Sequence, residues 1–398
     1  VSLPNSIVEI DEGAFNGCKK LNNISIPENV EIIGTSAFES CEALTNVLIP
    51  SKVKSLGFQA FAECTTLSSA TISNEIDHII GWPFYGCKQL STINIPKDIR
   101  DIGTIYLGTG ITEITVPEKV SCLDNYAFGD CEKLNKIVIP ESVKEIKSNA
   151  FIYTKCYNDF ENSNDDEWYI DDCLISVKPS IKNQYSIKNG TRLISNGSFA
   201  KCKELLSIVV PDSVTNIGGN AFGGCNKLNS VCIISENTVI DKDAFPKNDN
   251  MQILAPKDSS VYNALKRDYN VIPYSFTVNK DDKDKPMLAL DGKVVLTEDM
   301  WSCICRLVKD TDVQYLYFKE FDFGDMMPEY VIVDYDKDEF KYKDLVLSII
   351  KDGDTIRLGM VDEKKSFFEL VEALVEQFIF TVENIIRAAW RYIFKHWK

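Results

Sequence analysis

The chain has 398 residues, of which 44% are hydrophobic, and a formal net charge of −16. Length and apolar content suit a soluble globular protein of two or more domains, while acidity on this scale excludes nucleic acid and anionic membrane as partners of the surface as a whole. Only two histidines occur, His78 and His396, so a histidine triad, an H-E-x-x-H zinc site or a multi-histidine metal centre cannot be assembled.

From the first residues onward one motif recurs, I-P-x-x-V-x-x-I-G-x-x-A-F-x-x-C-x-x-L. Leu3, Ile26, Ile49, Ile72 and Ile95 are each 23 residues apart, as are Cys18, Cys41, Cys64 and Cys87. The register resumes at Val116 and Ile139 after a shortened unit, passes through an irregular stretch, and returns at Ile187, Val210 and Ile233. A fixed period of about 20–50 residues is the mark of a solenoid, in which each unit buries its apolar positions against its neighbours. Val1-Ser2-Leu3-Pro4 aligns with Ile24-Ser25-Ile26-Pro27. The chain thus begins halfway through a coil, and an upstream segment carrying any signal peptide is expected outside this sequence.

Within a unit, Leu21, Ile24 and Ile26 are expected to point inward while Asn23 and Ser25 alternate outward along a short strand. Pro27 ends the strand because it has no N–H for a ladder. Val30 and Ile33 begin a second inward face, Gly34 reads as a permissive turn, and Ala37, Phe38, Cys41 and Leu44 complete the ring. Roughly eleven coils at about 4.8 Å each give a stack of roughly 50 Å with columns of identical side chains inside.

These residues resemble the BspA-type leucine-rich repeats of bacterial surface proteins, over residues 1–274. The resemblance implies a β-rich leucine-rich-repeat solenoid of short parallel strands, exposed on a cell surface or secreted, that binds other macromolecules. Residues 103–110 depart from it by lacking the Ala-Phe and Cys positions, and Thr154 stands where a Cys is expected. An insertion near 154–184 carries the acidic run Asn162-Ser163-Asn164-Asp165-Asp166-Glu167.

The thirteen cysteines favour neither a disulfide framework nor a metal site. Seven of them (Cys18, Cys41, Cys64, Cys87, Cys131, Cys202, Cys225) share one repeat position and read as a ladder of small buried thiols. Neighbouring coils bring such residues within disulfide reach, yet a ladder has no natural pairing. Cys303 and Cys305 are two apart in an expected helix and do not face each other. Cys156 and Cys173 flank the insertion, with nothing in the sequence to fix a bridge between them.

No G-x-x-x-x-G-K-[ST] loop is present, and Gly218-Gly219 and Gly223-Gly224 read as turn glycines inside a repeat. No cofactor is expected. The remaining candidate for recognition is the outward strand face, by analogy with other leucine-rich repeats. Its columns hold Asn23, Ser25, Asn46, Leu48, Ser69, Thr71, Thr92, Asn94, Glu113, Thr115, Lys136 and Val138, and further on Ser207, Val209, Ser230 and Cys232. Small, neutral and partly apolar, the face suits a protein or glycan better than a polyanion. It lacks the aromatic and arginine anchors usual at binding hot spots.

Val261–Lys266 reads as a terminal helical turn over the apolar end of the stack, and residues 275–286 as a charged linker. Residues 287–365 mix strand-like runs at 315–318, 330–333 and 355–358 with a helix starting at Thr297, and read as a small α+β unit. Asp334-Tyr335-Asp336-Lys337-Asp338 imitates a calcium loop, but Glu339 replaces the needed glycine and Leu345 the terminal carboxylate, leaving a charged hairpin turn. From 366 to 398 the charges at Glu369, Glu372, Glu376, Glu383, Arg387, Arg391, Lys395 and Lys398 fall on one narrow stripe of a helix that is otherwise apolar. Charges arrive too often for a transmembrane span of about 20 residues. Packing against protein, self-association, or contact with a membrane surface through Trp390, Tyr392, Phe394 and Trp397 remain open for this helix. Three functional classes follow: a non-enzymatic recognition or adhesion protein, a carbohydrate-active enzyme housed in residues 287–365, and a structural spacer.

Overall fold

A computed structural model describes residues 1–279, apart from 74, 75, 77 and 80, and beyond them the backbone of six strands. The chain divides into two compact units, Val1–Tyr330 and Val331–Lys398. The first contains a β-solenoid of about ten turns. The helix expected from Thr297, the cysteines at 303 and 305 and the segment 366–398 lie outside the described residues.

Most coils contribute two strand segments, and in the regular repeats each pairs in parallel with the equivalent segment 23 residues away. One ladder is made by the I-x-I-P segments. It begins as a bridge between Ser2 and Ser25, continues through Asn46–Ile49, Ser69–Ile72 and Thr92–Asn94, and re-forms at Glu113–Thr115 with Lys136–Val138. After the insertion it runs through Asn183–Ser186, Leu205–Val210, Ser230–Ile233, Gln252–Pro256 and Asn270–Asn279. The second ladder is made by two-residue segments ahead of the glycine position: Glu9–Ile10, Ile32–Ile33, Ser55–Leu56 and His78–Ile79 in the first block, and Leu193–Ile194, Asn216–Ile217 and Val239–Ile240 in the last.

The inward columns are those expected from the period. Leu21, Ile24, Ile26, Val30, Ile33, Ala37, Phe38, Cys41 and Leu44 are all buried. The phenylalanines form an internal stack, with ring centroids 5.1 Å apart for Phe15 and Phe38, 4.9 Å for Phe38 and Phe61, and 5.0 Å for Phe222 and Phe245. A third line of backbone bonds runs beside them, in which the Phe N–H donates to the carbonyl at the Ala position of the next coil, as from Phe38 to Ala60 at 2.8 Å and from Phe222 to Ala244 at 2.8 Å. The shortened unit keeps this architecture with other residues. Tyr106 occupies the Phe place, 5.4 Å from Phe128, and Thr109 takes the Cys place beside Cys131.

Two features of the turns differ from the sequence expectation. Gly34 does not serve a left-handed turn; a Cβ there would lie 2.7 Å from the Glu12 nitrogen, and at Gly57 one would lie 2.5 Å from the Gly34 carbonyl carbon. The glycine is present so that successive coils can approach closely. Left-handed backbone falls instead two residues before and two residues after the phenylalanine. Ser36, Gln59, Tyr126 and Asn220 hold the first place (φ 51–63°), and Ser40, Glu63, Asp130 and Tyr153 the second (φ 54–60°).

The insertion is a helix, Lys155–Asn162, followed by the antiparallel strands Glu167–Ile170 and Cys173–Val177. Thr154 explains its own departure from the repeat. Its hydroxyl donates to the Phe151 carbonyl at 2.7 Å and accepts from the Tyr157 N–H at 3.2 Å, so it caps the helix in a way a thiol does poorly. Trp168 then carries on the aromatic stack, 6.0 Å from Phe151 and 5.8 Å from Phe160. Arg192, its side chain 11% exposed, fastens the insertion to the coil before it through Asp172 at 2.9 Å and the Val143 carbonyl at 2.7 Å. The apolar core divides here into two clusters, one running from Ile10 to Leu193 and the other from Leu174 to Leu265.

At the far end a short helix, Ser260–Leu265, buries Val261 and Leu265 over the last coils. Strand Asn270–Asn279 extends the ladder and turns back through an antiparallel pairing with Lys285–Leu290, which pairs in parallel with Tyr315–Phe318. Residues 275–279 and 285–286, read above as part of a linker, therefore lie in strands. In the second unit Ile332, Val333 and Asp334 pair antiparallel with Lys341, Phe340 and Glu339, and Ser348–Asp352 pairs antiparallel with Thr355–Gly359.

Candidate functional site

In the first block the outward positions of the I-x-I-P ladder form two columns. Asn23, Asn46, Ser69 and Thr92 make one; Ser25, Leu48, Thr71 and Asn94 make the other. Strand pairing sets Asn46 against Ser69, Ser69 against Thr92, Leu48 against Thr71, and Thr71 against Asn94. Asn23, Ser25, Asn46, Leu48, Thr92 and Asn94 are exposed, and Ser69 and Thr71 are half-buried. The columns resume after the shortened unit with Glu113 opposite Lys136 and Thr115 opposite Val138, all exposed.

Leu48 and Val138 are 52% and 40% exposed, so two apolar side chains stand in an otherwise polar surface. Its charges cancel locally, since Lys136 Nζ lies 3.1 Å from Glu113 Oε2. Such an exposed pair adds little stability. Asn94 Nδ2 donates to Thr71 Oγ1 at 3.2 Å across adjacent coils. The remaining donors and acceptors of this face are small groups held on a ladder whose backbone is fixed, an arrangement that orients them without costing much side-chain entropy on binding.

The later columns are different. Ser207 and Ser230 are fully buried, as is Cys232, and Val209 is 2% exposed. The outward face is therefore covered along the last coils, and these four residues are not part of an open surface. Tyr274, itself fully buried, packs here with its hydroxyl 3.2 Å from the carbonyls of Ile233 and Ile234.

The cysteine column is chemically quiet. Cys41, Cys64, Cys87, Cys131, Cys202 and Cys225 are buried free thiols, whereas Cys18 is exposed. Cys156 and Cys173 are also free. The column thiols donate to backbone carbonyls of the preceding coil: Cys41 to Phe15 at 3.3 Å, Cys64 to Phe38 at 3.2 Å, Cys87 to Phe61 at 3.1 Å and Cys131 to Tyr106 at 2.9 Å. Beyond filling space, they give a second donor to carbonyls that, at Phe15, Phe38 and Tyr106, already accept a backbone N–H within the turn. Burial pushes the thiols of Cys41 and Cys225 up to about 12 and that of Cys131 up to about 11. A thiol that stays protonated is a poor nucleophile. Native protein near pH 8 is accordingly expected to label promptly at Cys18 and slowly at the buried column, with complete labelling after denaturation. Mass spectrometry that finds Cys41 joined to Cys64 without added oxidant contradicts the column.

Among the described residues no group of three or more His, Cys, Asp or Glu side chains is placed to hold a metal ion, and no helix is long and apolar enough to cross a membrane.

Two parallel ladders per 23-residue coil, with buried Leu, Ile, Phe and Cys columns, define a leucine-rich-repeat solenoid. The chain belongs to the family of BspA-type leucine-rich repeat regions, whose model matches six copies over residues 1–108, 104–167 and 170–262. No curated protein matches the chain. Among solved structures it is similar to a leucine-rich repeat protein from Bacteroides ovatus, at 24% identity and a TM-score of 0.39 over 63% of this chain. The chain spans 61% of that protein's length. It is also similar to a leucine-rich cell surface protein from Faecalibacterium prausnitzii, at 22% identity and a TM-score of 0.28, covering 65% of this chain and 84% of that one. A third similarity is to the pneumococcal vaccine antigen PcpA, at 15% identity and a TM-score of 0.28, covering 68% and 76% of the two chains.

Proposed function

We propose that the protein is a non-enzymatic recognition protein, displayed on a cell surface or secreted, that holds a protein or glycan on the open strand face of its first block. One observation supports this most: the columns from Asn23 to Val138 repeat in register within each paired stretch of the ladder and stay open, with only Ser69 and Thr71 half-buried, while the equivalent columns at Ser207 to Cys232 are covered. A repeating ligand, such as a glycan chain or an extended polypeptide, matches a repeating row of amides and hydroxyls spaced by the strand separation of about 4.8 Å. The local cancellation of charge at Glu113 and Lys136 favours a ligand that is not a polyanion. Neither a cofactor nor nucleic acid has a part in this reading. The segment 366–398 serves attachment or self-association.

The test is a glycan and extracellular-matrix array probed with the full chain. Retention on a coherent class of neutral glycans, or on one matrix protein, is the expected result. Silence across the array, together with a turnover signal on any glycan, favours a carbohydrate-active enzyme in residues 287–365; silence on both counts favours a spacer.

A further inference from the structure

In a solenoid each coil is held by its two neighbours, so opening short of full unfolding begins where the contact between neighbours is poorest. The insertion marks that place. Strand Lys136–Val138 is the last of one run of the first ladder, and Asn183–Ser186 begins the next. In the second ladder Glu145–Ile146 is likewise the last before the hairpin strand Cys173–Val177 restarts it. Both ladders also lapse at the shortened unit, but there one apolar core runs through, whereas at the insertion the core divides. The division passes along a single strand: Cys173 and Ile175 belong to the first core, Leu174 and Val177 to the second.

Packing is imperfect at this boundary. A cavity of about 210 Å³ lies among Phe151 and Ile152 of the coil before the insertion, Trp168 and Ile175 of the insertion, and Gly197 and Ala200 of the coil after it. In that later coil the buried oxygens Asn196 Oδ1 and Ser198 Oγ have no hydrogen-bond partner in the protein. A cavity and unpaired buried polar atoms both lower the free energy needed to part the two sides. Against this, the later coil reaches back with two polar side chains. Arg192 donates from Nη1 to the Val143 carbonyl at 2.7 Å and from Nη2 to the Pro140 carbonyl at 3.4 Å, while its Nε donates to Asp172 at 2.9 Å. Asn196 donates from its backbone N–H to the Ile146 carbonyl at 2.9 Å and from Nδ2 to Glu145 Oε1 at 3.3 Å. On the hairpin, Asp171 Oδ2 accepts the Ile139 N–H at 2.9 Å.

We propose that the insertion is a hinge latched by Arg192, at which the solenoid parts into two blocks before either block unfolds. One guanidinium joins the coil before the insertion, the hairpin and its own coil, and it can do so because a planar fork of donors engages several acceptors at once, where an ammonium acts as a single point. The block before the latch carries the open strand face, and the block after it carries the covered one. The latch fixes how these two are set against each other; with it released, each moves with its own core intact. The hinge does not depend on what the open face binds.

Hydrogen exchange read by mass spectrometry on the full chain tests the hinge. In the unaltered chain the junction amides, at 139–147 and 192–198, are expected to exchange through an opening that leaves the block interiors, at 30–41 and 217–228, protected. Arg192→Leu should speed the junction amides about thirtyfold, the size of effect expected from losing a hydrogen bond to a charged group, with the interiors unchanged. Arg192→Lys, which keeps the charge and loses the fork, should speed them less. Val53→Ala, a change at a buried position inside the first block, should speed the coils around it and leave the junction as it was. Junction amides as protected as the interiors in the unaltered chain overturn the hinge. Acceleration by Arg192→Leu that is absent at the junction, or spread evenly over all coils, overturns the latch.

Discussion

Replacing Phe38 by alanine is expected to destabilise the solenoid by about 3–5 kcal/mol. Its ring is fully buried and stacked on both sides, by Phe15 and by Phe61. Each neighbour in a repeat protein contributes to the stability of the next, so a hole in one coil weakens two interfaces. Each aromatic pair adds about 0.5–1.5 kcal/mol beyond the area it buries. Asn23→Ala, on the exposed face of an adjoining coil, should change stability by less than about 0.5 kcal/mol. A denaturant titration of the two variants separates them. Equal losses at both positions contradict the division into inward and outward columns.

The second large effect is alkaline. In the folded protein the thiols of Cys41, Cys131, Cys202 and Cys225 lie at about 12, 11, 11 and 12, each raised chiefly by burial from an ordinary 9.0. A raised folded pKa means that the unfolded chain releases these protons first, so stability contributed by the protonated thiols is complete below about pH 9 and is lost as pH climbs toward 12. Burial pushes the Tyr106 hydroxyl upward as well, which acts in the same direction. The midpoint of denaturation should be flat from pH 7 to about pH 8.5 and then fall steeply. A Cys41→Ala, Cys225→Ala variant should show a shallower fall, because two of the groups that must ionise on unfolding are gone. Exposed lysine pairs such as Lys136–Glu113 also weaken at high pH, but salt screens them, so a decline that persists in high salt belongs to the buried groups. A midpoint unchanged up to pH 11 contradicts the buried column.

Most of the solenoid was legible because one physical demand recurs every 23 residues. A position that must be apolar in each coil repeats as Leu, Ile, Phe or Cys, and the recurrence makes it visible even where one unit is irregular. Positions whose demand is on the backbone were harder to read. Ser36, Gln59, Tyr126 and Asn220 share a left-handed conformation but no side-chain chemistry, and Gly34, which looks like a turn residue, is there for the closeness of the next coil. Tyr106 and Thr109 were hidden because the shortened unit shifts them out of register. The insertion showed only its acidity; Thr154 gave no sign that its hydroxyl caps a helix.

The candidate face was half legible. Alternation along a strand assigns a residue to a face but does not say whether anything lies on top of it. Ser69-Ala70-Thr71 and Ser207-Ile208-Val209 follow the same alternation, yet the first keeps its outward side chains partly open and the second has none open. What covers a face is a long-range property of the fold.

Recognition by the open columns is most directly tested by placing arginine at Ser69, Thr92 and Thr115 together and comparing this variant with the unaltered chain on the same glycan and matrix array. Three long cations on neighbouring coils block the face without touching a buried position. The expected result is loss of the array signal with an unchanged thermal melt. Full retention of the signal by the folded variant contradicts the assignment and moves recognition to the insertion or to the C-terminal unit.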